Sequence, residues 1–334
     1  MGNGDRKVVD VKLMAPGTWA SYVGAVTSVL NSRKMKCDNA DVAGMSGYAF
    51  VVNINPTLCP SGPTAFDWEM LEEGTTALGL EARLFSAPRQ EGEDERLAAE
   101  LFEKVKSEID EGRCCVVWGA TCSPEFAIVY GYEDRNYLVR SFRTCRGGCA
   151  RPVGPSEAPE GPVPFDKLES PGCFGVMAFG DATKTDRSRA DRCAATRAVR
   201  LLRDRHPCYD PDYRHGAQAF RAWAGALERA RAEVNPFGSA YSAQVYCELQ
   251  GFAGDFCRRL AGRNRSASDQ FGKAATALGR SGRNLAEVGG LFPFPEGAGL
   301  DDVVKVQRAA ALLRECAELN AEAASALEMA LGLM

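Results

Sequence analysis

The sequence predicts an α+β unit with an antiparallel sheet over residues 1–182, followed by an all-α helical bundle over residues 183–334. Three observations carry this reading. Short β-branched and aromatic runs such as Cys115-Val116-Val117-Trp118 are confined to the first half of the chain. Beyond Asp191 the apolar residues recur at helical spacing. Between the two, Asp181 to Asp191 is charged and polar, as expected of a domain boundary. The length agrees, because 334 residues exceed what one hydrophobic core usually organises.

Taken in order, Val8 to Met14 alternates as a strand, and Pro16-Gly17-Thr18 breaks it before the helical spacing of Val23, Val26, Val29 and Leu30. Thr18 is the expected N-cap, its hydroxyl accepting from a free N–H of the first turn, which sets Ser21 inside that turn. Tyr48 to Ile54 reads as a strand and Asn55 to Pro63, rich in Pro, as a loop. Helices follow from Trp68 towards Leu78 and from Arg96 to Ile109, the second ending at Glu111-Gly112. Cys115 to Trp118 is a strand, Phe126 to Tyr132 and Tyr137 to Val139 form a hairpin about Glu133 to Asn136, and Gly175 to Phe179 is a further strand. Ala150 to Pro164, with its prolines and glycines, reads as an irregular surface excursion.

In the second half, Phe220, Trp223, Leu227 and Val234 mark one helical stripe, and Tyr241, Val245, Leu249, Phe252, Phe256 and Leu260 mark the next. A third helix runs from about Ser268 to Val288 until Phe292-Pro293-Phe294-Pro295 stops it, and the last begins at Asp301 and Asp302. These stripes are read as helix packing rather than a pocket lining, and no strand is expected among them.

Composition excludes several classes. With 45% hydrophobic and 25% charged residues and a net charge of −4, the chain is an ordinary globular one. Lys and Arg are balanced by acids and scattered through the helices without a basic stripe of the kind that tracks phosphates, so no nucleic-acid partner is expected. The N-terminus lacks an apolar leader and no stretch is long enough to span a bilayer, so no membrane and a cytoplasmic location are expected. Arg6 stands where a myristoylation signal has Ser or Thr. Thirteen cysteines without regular spacing point to mostly reduced thiols. Cys193 and Cys208 with the two histidines, His206 and His215, match no common zinc spacing, and Cys145-Arg146-Gly147-Gly148-Cys149 offers too few ligands. A labile disulfide or two free thiols fits that pair better. Neither a phosphate loop nor a dinucleotide fingerprint occurs, so no metal and no cofactor are expected. Gly44-Met45-Ser46-Gly47 is one residue short of a nucleophile elbow, which leaves Ser46 as a turn residue.

The first helix, the Gly44-Met45-Ser46-Gly47-Tyr48-Ala49-Phe50 stretch, the Asn55 to Trp68 loop and the Phe126 to Tyr132 strand, in that order, resemble the papain-like proteins of the C39 peptidase group. The branch they resemble is that of the butirosin-biosynthesis acyltransferase N-terminal domain, and the amphipathic helix Gln244 to Leu260 extends the likeness. The resemblance implies a papain-like fold with a nucleophilic Cys in the first turn of the first helix, where this chain has Ser21. It implies a general-base His opening the Phe126 strand, where Glu125 stands, and an orienting carboxylate after the hairpin, where Ser141 follows Arg140. The oxyanion-hole Gln has no counterpart in Met14-Ala15-Pro16.

A serine hydroxyl needs a base, and carboxylates, with a usual pKa of about 4, are weak ones. The expectation is therefore a degenerate papain-like protein without the Cys-His-Asp triad, binding a small molecule or peptide-like group in the inherited cleft, with Trp19 as its apolar wall and Cys59 and Arg140 as further ligand contacts. One alternative is an acyltransferase or amide hydrolase with an unusual nucleophile such as Cys59 or Ser21. Another is an oligomerisation or partner-binding scaffold, a homo-oligomer included.

Overall fold

The structure, a computed structural model, describes residues 5–12, 17–141, 143–144, 151–152, 160–207, 210–229 and 233–334. In chain order the elements are β1 (Arg6–Val8), α1 (Ser21–Ser32), α2 (Asn39–Ser46), β2 (Asn53–Ile54), α3 (Glu69–Thr76), β3 (Leu80–Pro88), α4 (Asp94–Asp110), β4 (Cys115–Trp118), β5 (Phe126–Glu133) and β6 (Asn136–Arg140). Then come β7 (Arg143–Thr144), β8 (Arg151–Pro152), β9 (Glu160–Pro164), β10 (Cys173–Ala182), α5 (Arg187–Leu202), β11 (Arg214–His215), α6 (Gly216–Arg229), α7 (Pro236–Arg263), α8 (Ser268–Leu291) and α9 (Val303–Leu333).

Two compact units result. The first comprises Met1–Val42 and Thr75–Lys184, the second Ala43–Gly74 and Thr185–Met334. The change near Lys184 lies close to the expected boundary, but the assignment of all of 1–182 to one domain is corrected. Ala43–Gly74 belongs to the helical unit because its apolar run finds its partners there: the Phe50 ring meets Phe256 at 6.5 Å, and the Tyr246 hydroxyl bonds the Asn53 carbonyl. Tyr48 to Ile54 is correspondingly not a strand. Tyr48–Phe50 is a 3-10 turn and only Asn53–Ile54 pairs, since a short run buried on all sides carries no alternation to distinguish strand from turn.

In the first unit the antiparallel sheet runs β3-β10-β4-β5-β6-β9, and β1 takes the half of β5 that β4 leaves unpaired. One face is covered by α4, whose Ala98, Leu101, Phe102, Val105 and Ile109 stripe packs on Cys115, Val117, Ala127, Val129 and Val176. Residues of the opposite parity face α1, as the edge-on contact of Tyr22 with Phe126 at 5.4 Å shows. Several expectations are corrected here. The first strand is Arg6–Val8 and does not continue through Val9 to Lys12, while Leu13 and Met14 of the expected strand lie outside the described residues; β3 has no counterpart among the expected strands. Glu160–Pro164 pairs with β6 instead of being irregular, while 153–159 lie outside the described residues.

The second unit is built on α7, α8 and α9, with α5 and α6 against α9. Trp223, fully buried, donates its indole N–H to Ser239 Oγ at 3.1 Å, as a buried indole must to avoid an orphaned donor. Asn235 and Asp302 cap α7 and α9 by accepting backbone N–H groups, Asp302 as anticipated. The strand-free expectation fails at one place, where His215 pairs with Asn53 in a two-stranded ribbon of β11 and β2. Gly238, in the first turn of α7, lets the Asn55 to Pro63 loop close on the helix: a Cβ there would sit 2.0 Å from the Leu58 carbonyl oxygen. Among the described residues no helix is long and apolar enough to cross a membrane.

Candidate functional site

Ser21 is the first residue of α1, and Glu125 is the residue before β5. Their positions follow from local backbone constraints. α1 has no side-chain cap: Ala20 occupies the N-cap position, and Thr18, the expected cap, instead accepts from the Ala20 N–H at 3.1 Å. On the other side, Gly119 donates to the Glu125 carbonyl at 2.9 Å and accepts from Glu169 N–H at 2.9 Å, pinning both ends of the Gly119–Glu125 loop. Gly119 has φ +76°, and a Cβ there would lie 2.6 Å from the Glu169 carbonyl carbon, so the loop closes only around glycine.

The outcome is a direct bond between side chains 104 positions apart. The Ser21 hydroxyl donates to Glu125 Oε2 and accepts from the Phe126 backbone N–H at 3.0 Å. Both residues are 5% exposed. Phe126, next in the chain to Glu125, packs obliquely on Trp118 at 4.9 Å, and the burial of Ser21 and Glu125 strengthens the electrostatics of their bond. The Phe126 N–H is the partner that residue-type reasoning missed, because a backbone donor leaves no mark in a sequence.

The other candidates are distributed as follows. Trp19 is half-buried two residues before Ser21. Ser141 is 3% exposed, one residue beyond Arg140, which is paired with Ile128 in the sheet. Arg140 donates to the Val11 carbonyl and lies 4.8 Å over the Tyr130 ring, an arrangement that ties down the Val11 segment. Cys59 belongs to the second unit. Its Sγ accepts from Ser61 Oγ at 3.0 Å, and Ser61 Oγ is 2.7 Å from the Tyr213 hydroxyl. Ser46, expected in a turn, is the buried last residue of α2, and its Oγ donates to the Ala43 carbonyl. Met14-Ala15-Pro16, the Cys145 to Cys149 pair and Cys208 lie outside the described residues. Among the described residues no cluster of His, Cys, Asp or Glu is arranged to hold a metal ion. Cys122, in the loop before Glu125, is disulfide-bonded, whereas Cys59, Cys114, Cys115 and Cys193 are free thiols.

Both histidines are in the second unit. His215 Nδ1 lies 2.8 Å from Asn53 Oδ1, and Asn53 Nδ2 is spent on the Ala65 carbonyl at 2.8 Å, so Nδ1 is the donor. Burial holds both imidazoles below their ordinary 6.5, with Arg197 and Arg200 adding to the effect at His206 and Asp204 and Asp210 opposing it at His215. Because the folded pKa values are depressed, the unfolded chain takes up these protons first as the pH drops. The stability they contribute is present above 6.5 and is lost as the pH falls through the lower folded values. The urea midpoint of the second unit is expected to hold steady above about pH 7 and to decline towards about pH 5, with a shallower decline in His215→Gln. A midpoint insensitive to pH over that range would contradict the burial of both rings.

No family model matches the chain, and no curated protein matches it.

Proposed function

We propose that this chain is a degenerate papain-like protein that binds, without catalysis, a small molecule or peptide-like group beside Ser21 and Glu125. The hydrogen bond from the Ser21 hydroxyl to Glu125 is the observation that supports the reading. The resemblance assigns those two residues to the nucleophile and base positions, and they meet across the first unit. Hydrolysis there by the papain route needs a thiolate and an imidazolium that hands its proton to the leaving group. Ser21 has no sulfur, its proton is directed at a carboxylate and its oxygen already accepts from Phe126. A carboxylate next to the positive end of α1 suits a ligand with a cationic or neutral donor and an acceptor close together, such as an amino acid, an amide or an aminoglycoside-like fragment.

A thermal-shift panel of those three classes, run with intact-mass spectrometry, tests this. The expected result is stabilisation of the wild type by one class with no mass adduct. Ser21→Cys is expected to show no turnover of amide substrates, because the base position holds a carboxylate. An acyl adduct on Ser21, or amidase turnover by Ser21→Cys, would sink the non-catalytic reading.

A second reading has one observation in its favour. The Cys59 thiol receives the Ser61 hydroxyl, which is itself bonded to Tyr213, so two hydroxyl groups in series fix the position of the sulfur. A hydroxylamine-labile adduct at Cys59 after treatment with an activated acyl ester would move the conclusion to acyl transfer in the second unit.

A further inference from the structure

The arginines of α5 are not scattered once the helix is in place. Its inward residues, Ala190, Ala194, Ala195, Ala198, Leu201 and Leu202, are buried. On the opposite side stand Arg189, Arg192, Thr196 and Arg200, with Arg203 at the C-cap. At 100° per residue these five fall within about 40° of one line, and Arg189 and Arg200 are about 16 Å apart along the axis.

The ridge is unevenly neutralised. Arg203 is paired with Glu328 through two nitrogens, and Arg192 donates to the Leu331 carbonyl at 3.2 Å. Asp191 turns inward to Arg263, and Asp186 caps the helix by accepting from the Arg189 backbone. Among the described residues no carboxylate pairs with the side chains of Arg189, Arg192 or Arg200, all of which are exposed. The local excess of positive charge is felt by His206, which Arg197 and Arg200 disfavour as a cation.

We propose that this arginine ridge is a docking surface for an acidic segment of a partner protein. Charge complementarity fixes the sign, and the planar guanidinium forks match carboxylates in pairs. Two features favour a short acidic peptide over other polyanions. The ridge residues include no aromatic to stack on a base and no large aliphatic to enter a bilayer. The whole chain is net negative at −4, which opposes the long-range approach of a nucleic-acid polyelectrolyte, whereas a short peptide senses only charges within about 10 Å.

The test uses the full chain and fluorescence anisotropy with a labelled oligoglutamate of about ten residues, a labelled DNA duplex of about 20 base pairs and phosphatidylserine vesicles in parallel. The peptide is expected to bind at about 50 mM salt, to weaken several-fold at about 200 mM, and to weaken at least about tenfold in Arg189→Glu/Arg200→Glu. Circular dichroism and the melting curve check that the double variant is folded. Arg258→Gln, on α7 and paired with Asp255, is expected to leave the affinity unchanged. Failure of the peptide to bind at low salt overturns the proposal. Equal binding by the double variant, equal weakening by Arg258→Gln, or tighter binding of the duplex or the vesicles overturns it as well.

Discussion

Replacing Arg263 by Met is expected to lower the stability of the second unit by about 3 kcal/mol, because it strands a buried carboxylate. Asp191 on α5 is 2% exposed and receives both Arg263 Nε, at 2.8 Å, and Nη2, at 2.9 Å. Methionine retains much of the apolar stem and removes the charge, so the loss measures the uncompensated Asp191 rather than a cavity. Asn264 Nδ2, at 3.5 Å, is too distant to replace a bidentate guanidinium. The companion variant Asp191→Leu/Arg263→Met is expected to recover most of the loss, since removing both charges also removes their desolvation cost. Urea titrations of the three proteins decide the matter. A single variant within about 0.5 kcal/mol of wild type would mean that the pair is wetter than its geometry implies.

The second large effect is expected on ligand binding. Glu125→Gln is expected to weaken the class that stabilises the wild type in the thermal panel by about 1–3 kcal/mol, or about five- to 150-fold, through one lost charge-assisted hydrogen bond. The fold is expected to persist, because the glutamine carbonyl still accepts from the Ser21 hydroxyl and the Phe126 N–H still reaches Ser21 Oγ. Calorimetry on both proteins, with melting temperatures alongside, separates the two effects. Equal affinities would place the ligand elsewhere, and a collapse of the melting temperature would make Glu125 a folding residue rather than a binding one.

Elements with a strong local period were legible. Cys115–Trp118 and Phe126–Glu133, buried on both faces, are unbroken runs of β-branched, apolar and aromatic residues, and the long helices of the second unit repeat apolar residues at three- and four-residue spacing. Two strands without that signal, β3 and β9, are the two ends of the strand order in the main sheet. β3 carries Glu81 and Arg83 and ends on Pro88, and β9 carries two prolines. Both are devices by which an edge avoids further pairing, and both erase the usual strand signal.

The candidate site divides in the same way. Ser21 and Glu125 could be singled out because the order of the segments around them resembles a known fold, and no spacing rule connects positions 104 apart. That the Ser21 hydroxyl donates to Glu125, that Phe126 supplies a second bond and that Arg140 donates to Val11 depended on how α1 docks on β5. Asn53 with His215 and Asp191 with Arg263 likewise join distant positions, through a two-residue ribbon and a helix crossing.

By itself the sequence determined the antiparallel sheet, the helical second half and the absence of a Cys-His pair at the first helix, because these rest on residue type and short-range period. Tertiary structure alone decided that Ala43–Gly74 joins the helical unit, that Ser21 donates to Glu125 and that α5 buries the face opposite its arginines. Long-range pairing is settled by which buried surfaces fit together and which buried polar groups must be satisfied, and neither condition is local to any window of the chain.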